Sequence, residues 1–130
     1  MPFYHALVRP GSTTEDQRRR FAGDVVTVHC DVTGAPPSFV YALITDSPEP
    51  FPEGTNAVVN GTIRAGRTDA QKAEIHARLS EALAAVIGVD ASTVHITTRD
   101  IQASFTMEGG VLLPEPGSVE EAEWGSAVSH

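Results

Sequence analysis

The order of short and long apolar segments limits the folds that this chain can adopt. Short apolar stretches that predict strands alternate with two longer stretches whose apolar residues recur at helical spacing. This order predicts two βαβ units, at residues 3–45 and 57–98, and a C-terminal segment at 105–130. We predict one domain over residues 1–130, because a chain of this length can bury a single core. The predicted strands are Phe3 to Val8, Phe39 to Ile44, Ala57 to Ile63 and Ser92 to Thr98.

Each predicted helix begins with a capping pattern. Ser12 with Glu15 predicts a capping box at the start of the first helix, and Thr68 with Gln71 predicts one at the start of the second. Gly34 and two prolines follow the first segment, and Gly88 follows the second, as is typical of helix ends. The predicted helices run from Ser12 to Val32 and from Asp69 to Ile87.

The two units resemble weak copies of each other. The segment from Arg9 to Thr13 precedes the similar segment from Arg64 to Thr68 by 55 positions. Right-handed crossovers in both units, joined in one sheet, predict four strands with both helices on one face. The other face is then bare. Because an apolar sheet face in water favours association, we expect an oligomer.

The composition argues against several kinds of partner. The net charge is −8 and no basic stripe is present, so we predict no nucleic acid partner. No apolar stretch approaches the roughly 20 residues that span a bilayer, and no secretory signal is evident. We therefore predict a cytoplasmic protein that does not bind membranes. Cys30 is the only cysteine and the histidines lack metal-ligand spacing, so we predict no cofactor and no metal site.

Pro2 is the most unusual candidate for a catalytic group. Once Met1 is removed, Pro2 carries a free secondary amine at the start of the first strand. An apolar pocket or nearby arginines would lower the pKa of this amine, so that it acts as a base near neutral pH. The alternative is that Met-Pro is simply a common beginning of a chain.

Arg64 and Arg67 follow the third predicted strand, with one small residue and one glycine between them. This spacing lets both side chains converge above the strand end. Paired guanidinium groups bind a carboxylate through charge-assisted, bidentate hydrogen bonds. The alternative is a pair of solvated loop arginines.

Two further candidates are His29, late in the first helix, and Glu108, in an apolar, glycine-rich segment. A carboxylate shielded in such a segment would have a raised pKa. The alternatives are a packing or surface histidine and a solvated turn glutamate.

Together these residues resemble the cis-3-chloroacrylic acid dehalogenase family of the tautomerase superfamily, over nearly the whole chain. Pro2 matches the family's amino-terminal proline, and His29 matches its histidine twenty-seven positions later. The segment Arg64-Ala-Gly-Arg-Thr68 matches the family's Arg-x-Gly-Arg before the second helix. Glu108 precedes Leu113-Pro-Glu-Pro-Gly117 as the family's glutamate precedes Leu-Pro-x-Pro-Gly.

The resemblance implies an α+β fold: tandem βαβ units in a four-stranded mixed sheet, with two helices on one face, assembled as a homotrimer. It implies that Pro2 is catalytic and that Arg64 and Arg67 bind a small carboxylate substrate. It also implies that His29 helps to bind the substrate carboxylate or carbonyl, and that Glu108 activates water in a dehalogenase or hydratase.

One position departs from the family pattern. The family has a tyrosine eleven positions before the glutamate, where this chain has Thr97. Because threonine is shorter and less acidic, we predict a tautomerase of 2-oxo acids or their enols, of phenylpyruvate type, with at most low cis-3-haloacrylate dehalogenase or hydratase activity. Tyr4 and Tyr41 are the candidates to replace the missing tyrosine. The alternatives are an efficient cis-3-chloroacrylate dehalogenase or hydratase, and a non-catalytic trimeric binding module.

Overall fold

Both βαβ units are present in the computed structural model, which describes residues 2–115 and 117–128. The first unit contains β1 (Phe3–Val8), α1 (Glu15–Thr33) and β2 (Tyr41–Asp46). The second contains β3 (Ala57–Arg64), α2 (Asp69–Ile87) and β4 (Val94–Ile101). The chain continues with β5 (Met107–Glu108), β6 (Val111–Leu112) and α3 (Val119–Val128).

The four long strands form one mixed sheet, as predicted, in the order β2-β1-β3-β4. Within each unit the two strands are parallel, and β1 joins the units by pairing antiparallel with β3. Both α1 and α2 pack on the same face, where alternate strand residues such as Ala6, Val8 and Val59 are buried against Phe21 and Leu79. The expected architecture is therefore confirmed.

The opposite face of the sheet carries exposed apolar side chains, as the sequence also predicts. Phe3, Tyr41 and Leu43 are all more than 40% exposed. Phe3 pairs with Tyr41 on one side and with Thr62 on the other, so these side chains form a continuous row across three strands. This arrangement leaves an apolar surface uncovered in a single chain.

The start of α1 differs from the prediction. Its N-cap is Thr14, which forms a capping box with Gln17, whereas Ser12 lies in the turn that follows β1 and donates its backbone N–H to Arg9. The capping box at the start of α2 is confirmed. The two caps, Thr14 and Thr68, are therefore 54 positions apart, whereas the matched segments that begin at Arg9 and Arg64 are 55 positions apart. The difference arises because one more residue separates Arg9 from its cap than separates Arg64 from its cap.

The two capping glutamines also join the helices to each other. Gln17 donates from Nε2 to the carbonyl of Val86, at the end of α2, and Gln71 donates to the carbonyl of Val32, at the end of α1, both at 3.2 Å. Each helix thus begins at a side chain that satisfies a terminal carbonyl of the other. This reciprocal arrangement fixes α1 and α2 side by side.

The starts of β2 and β4 also differ from the predicted strand boundaries. Phe39 lies in a short 3-10 turn before β2, because the preceding prolines start that turn, and a second such turn delays the start of β4 to Val94. The predicted C-terminal segment at 105–130 contains β5, β6 and α3, although residues 116, 129 and 130 lie outside the described ranges. No helix within those ranges is both long and apolar enough to cross a membrane.

Replacing Gln17 or Gln71 with alanine is expected to lower the free energy of unfolding by about 1–2 kcal/mol, because each change removes a capping bond and an interhelical bond. Urea unfolding followed by circular dichroism measures this loss. Gln102→Ala is the matched control, since this exposed glutamine makes no side-chain capping bond. Equal losses in all three variants would contradict the interhelical role.

Candidate active site

Pro2 is buried at the beginning of β1. Its carbonyl accepts a hydrogen bond of 2.9 Å from the backbone N–H of Tyr41. Since Phe3 lies opposite Thr62 in the antiparallel pair, Pro2 comes next to the end of β3, where Arg64 is located. Strand alternation places Pro2 on the same sheet face as Tyr4, the face that α1 covers. The structure therefore brings the amino-terminal proline and the first arginine to one end of the sheet.

His29 is directed from α1 towards this same region. Only 1% of its side chain is exposed, and its Nδ1 lies 2.7 Å from the hydroxyl of Tyr4. Burial, followed by the charges of Arg67, the amino terminus and Arg64, lowers the pKa of His29 from 6.5 to about 4. His29 is therefore neutral at pH 7, and both arginines are close enough to influence it.

Arg64 ends β3 and is 5% exposed, so it is not the solvated loop residue of the alternative interpretation. Its Nη1 donates to the carbonyl of Pro114 at 2.6 Å and lies 2.8 Å from Oε2 of Glu121 in α3. These contacts compensate the buried charge. They also show that a carboxylate fits against this guanidinium. No pattern in the sequence pointed to Glu121, because α3 lies far along the chain from Arg64.

Arg67 follows the tight turn after β3 and is half-buried. Burial lowers the pKa of Arg67, and the like charge of Arg64 lowers it further, while Glu121 and Tyr4 oppose this effect. The two guanidinium groups are therefore close to each other. Gly66, between them, has a φ of 108°, a conformation that glycine adopts without strain.

Two buried atoms of this cluster have no hydrogen-bond partner within residues 2–115 and 117–128: Nε2 of His29 and Nε of Arg67. A buried polar atom left unpaired costs about 1–3 kcal/mol. Arg67 Nε is a donor, and the charges that act on His29 are those of Arg67, the amino terminus and Arg64, all positive. Glu121 is a carboxylate that also acts on Arg67, but it leaves this Nε without an acceptor, so the site is suited to an anionic ligand. No group of three potential metal ligands occurs in this described part of the chain.

Glu108 lies on the β5–β6 hairpin and is half-buried. The backbone N–H of Leu113, just after the hairpin, donates to the carbonyl of Thr106 at 3.0 Å. The next residue, Pro114, accepts the hydrogen bond from Arg64. The hairpin that carries Glu108 is thus attached to the arginine end of the sheet.

Thr97 is separated from this cluster within one chain. It lies in β4 opposite Asn60, and its hydroxyl donates to Oδ1 of Asn60 at 2.8 Å. Both residues are exposed on the sheet face away from the helices, whereas His29 and Tyr4 are on the covered face. The structure therefore groups Pro2 with the arginines and the histidine but not with Thr97.

The contact of Tyr4 with His29 in this cluster was not predicted from the sequence. Tyr4 is 1% exposed, and its hydroxyl is hydrogen-bonded to His29. One signal in the sequence could have identified it. Alternate residues of a strand share a face, so Tyr4 had to lie on the same side of the sheet as Pro2.

Comparisons with known proteins agree with this fold. A family model described as Tautomerase enzyme matches residues 58–114. The structure of N1, a member of the cis-3-chloroacrylic acid dehalogenase family, is 28% identical with a TM-score of 0.83, over 94% of this chain and 89% of its own. Native Ps01740 is 33% identical with a TM-score of 0.74, over 82% and 99%. No curated protein sequence matches the chain significantly.

An asymmetric trimer of wild-type fused 4-OT is also similar, at 25% identity and a TM-score of 0.75, over 85% of this chain and 94% of that one. The chain belongs to the tautomerase superfamily. Within it, the chain is similar to N1, a member of the cis-3-chloroacrylic acid dehalogenase family.

The lowered pKa of His29 makes stability depend on pH. The unfolded chain takes up a proton at His29 below about pH 6.5, and the folded chain does so only near pH 4. The free energy of unfolding is therefore expected to decrease as the pH is lowered from about 6.5 to about 4, by on the order of 3 kcal/mol in total. Urea unfolding across this range measures the slope, and His29→Gln is expected to reduce it. His95→Gln, at an exposed position, is the control; equal slopes in both variants would contradict this assignment.

Proposed function

We propose that the chain is an amino-terminal-proline tautomerase that acts on small 2-oxo acids or their enols, of phenylpyruvate type. The observation that carries this proposal is that Nε of Arg67 and Nε2 of His29 have no hydrogen-bond partner among the described residues, in a site next to Pro2 that also contains Arg64. A 2-oxo acid offers a carboxylate and a neighbouring carbonyl to these groups. The proposal requires removal of Met1, because only a free Pro2 nitrogen can exchange a proton.

In the proposed reaction, Arg67 and Arg64 hold the substrate carboxylate, which takes the place of the Glu121 carboxylate at Arg64. Neutral Pro2 removes the proton of the enol hydroxyl on C2. The protonated amine then returns a proton to C3, which forms the 2-oxo acid and restores neutral Pro2. The arginines stabilise the negative charge of the enolate. The arginine charges also disfavour a positive charge on Pro2, so its amine stays neutral more readily, which supports its role as a base.

A hydratase or dehalogenase reaction is the alternative in the same site. There Glu108 would activate a water that adds to C3 of an acrylate, cationic Pro2 would protonate C2, and halide would leave from the adduct. The likeness to N1 favours considering this reaction. We propose that it is slow at most, because Thr97 replaces the family tyrosine and hydrogen-bonds to Asn60 on the other sheet face.

We further propose that three copies of the chain form a homotrimer. The apolar row that includes Phe3 and Tyr41 needs a cover in water, and the similar fused 4-OT structure is a trimer. A non-catalytic trimeric binding module would use the same surface. Its pocket, however, would have no need of a buried amino-terminal proline.

Pro2→Ala is expected to lower kcat/KM for ketonisation of phenylpyruvate enol by about 100-fold, because it replaces the rigid secondary amine of the pyrrolidine ring with a less basic and more mobile primary amine. An ultraviolet assay follows the enol. Pro50→Ala, in the exposed loop, is the matched control, and the intact mass of each protein shows whether Met1 is absent.

Equal rates for wild type and Pro2→Ala, or a retained Met1, would contradict the amine mechanism and favour the binding module. Halide release from cis-3-chloroacrylate that is faster than phenylpyruvate turnover would instead favour the dehalogenase.

Arg67→Gln is expected to raise KM for phenylpyruvate by about tenfold or more, because the substrate carboxylate loses a charged partner. Steady-state kinetics measure the change. Arg20→Gln removes an exposed arginine from α1 and is the matched control. An unchanged KM in Arg67→Gln would show that Arg67 does not bind the carboxylate.

A further inference from the structure

Tyr4 and His29 form a buried polar pair that the proposed reaction does not yet use. Each is 1% exposed, and the Tyr4 hydroxyl lies 2.7 Å from His29 Nδ1. The rings meet edge to face, with centroids 5.7 Å apart and planes at 65°. The hydrogen bond spans 25 positions and joins β1 to α1. Such a contact fixes both side chains.

The protonation of this pair follows from its surroundings. Burial raises the pKa of Tyr4 above its ordinary value, against the smaller opposing effect of Arg67, while burial lowers that of His29. Both groups are therefore neutral at pH 7. A neutral phenol that donates to Nδ1 requires the proton of His29 to be on Nε2.

The opposite tautomer fits the structure less well. If Nδ1 carried the proton and donated it to the Tyr4 oxygen, the Tyr4 O–H would have to donate to an acceptor other than His29. In the described ranges, His29 is the one hydrogen-bond partner that the Tyr4 hydroxyl has. The Tyr4 bond therefore favours the tautomer with Nε2–H, and Nε2 is the buried atom that has no partner in those ranges.

Gly61 provides the space for the Tyr4 ring. Tyr4 pairs with Gly61 across β1 and β3. A Cβ at position 61 would lie 2.7 Å from Cε1 and 2.8 Å from Cδ1 of Tyr4, which is closer than atoms pack. Any larger residue would push the ring, and with it the hydroxyl, away from its present place.

We propose that Tyr4 is a positioning residue that holds His29 in its Nε2–H tautomer, so that His29 donates a hydrogen bond to the carboxylate or carbonyl of the substrate. Gly61 is the residue that admits the Tyr4 ring. The identity of the ligand rests on the proposed function. The tautomer of His29 does not rest on it, because the free protein already contains the Tyr4–His29 bond.

The test measures the tautomer and the kinetics separately. Long-range ¹H–¹⁵N correlation spectra of the free protein distinguish protonated from unprotonated ring nitrogens, and His29→Gln assigns the signals among the five histidines. In wild type, Nε2 of His29 is expected to be protonated. In Tyr4→Phe, His29 is expected to become a tautomer mixture, and kcat/KM for phenylpyruvate to fall about tenfold, as for one lost hydrogen bond.

Thr98→Val is the control, since it removes a strand hydroxyl that lies 2.9 Å from Nε2 of a different histidine, His76. Gly61→Ala is expected to reproduce the tautomer change while leaving the hydroxyl in the chain. An unchanged His29 tautomer in Tyr4→Phe, or an unchanged kcat/KM, would overturn the proposal. A wild-type protein that does not turn over phenylpyruvate would contradict the proposed function, while the tautomer measurement in the free protein would still decide the role of Tyr4.

Discussion

The antiparallel pairing of β1 with β3 is the constraint on which the rest of the structure depends. It joins two βαβ units that would otherwise be separate, and its register places Tyr4 over Gly61 and the start of β1 beside the end of β3. A shift by one residue would reverse the face of every side chain in β1. Pro2 would then lie on the exposed face, and the Tyr4 hydroxyl would lose His29.

The burial of positive charge is the main energetic demand at the site. Two guanidinium groups and a histidine lie at one end of the sheet, and a protonated histidine there is disfavoured. The structure compensates Arg64 with Pro114 and Glu121. No described residue provides an acceptor for Nε of Arg67. Arg64 is thus paired, while the neighbouring Arg67 still has a donor without an acceptor. Such a site is suited to binding an anion.

The two faces of the sheet have different roles. The covered face holds the core and directs Tyr4 and His29 towards the site, while the opposite face carries an apolar row and the Thr97–Asn60 pair. In the proposed trimer, association would cover this row. A separation of this kind lets the site depend on buried packing within one subunit, while assembly depends on the exposed face.

Local patterns in the sequence determined the helices, the strands and most of their ends, because hydrophobic spacing and capping residues act over a few positions. The pattern of Ser12 with Glu15 was wrong for the first cap, which is Thr14, because Ser12 belongs to the turn after β1. The candidate site residues were identified by type and spacing. Their contacts, such as Tyr4 with His29 and Arg64 with Glu121, were decided by tertiary structure alone, because packing brings together residues that are far apart in the chain.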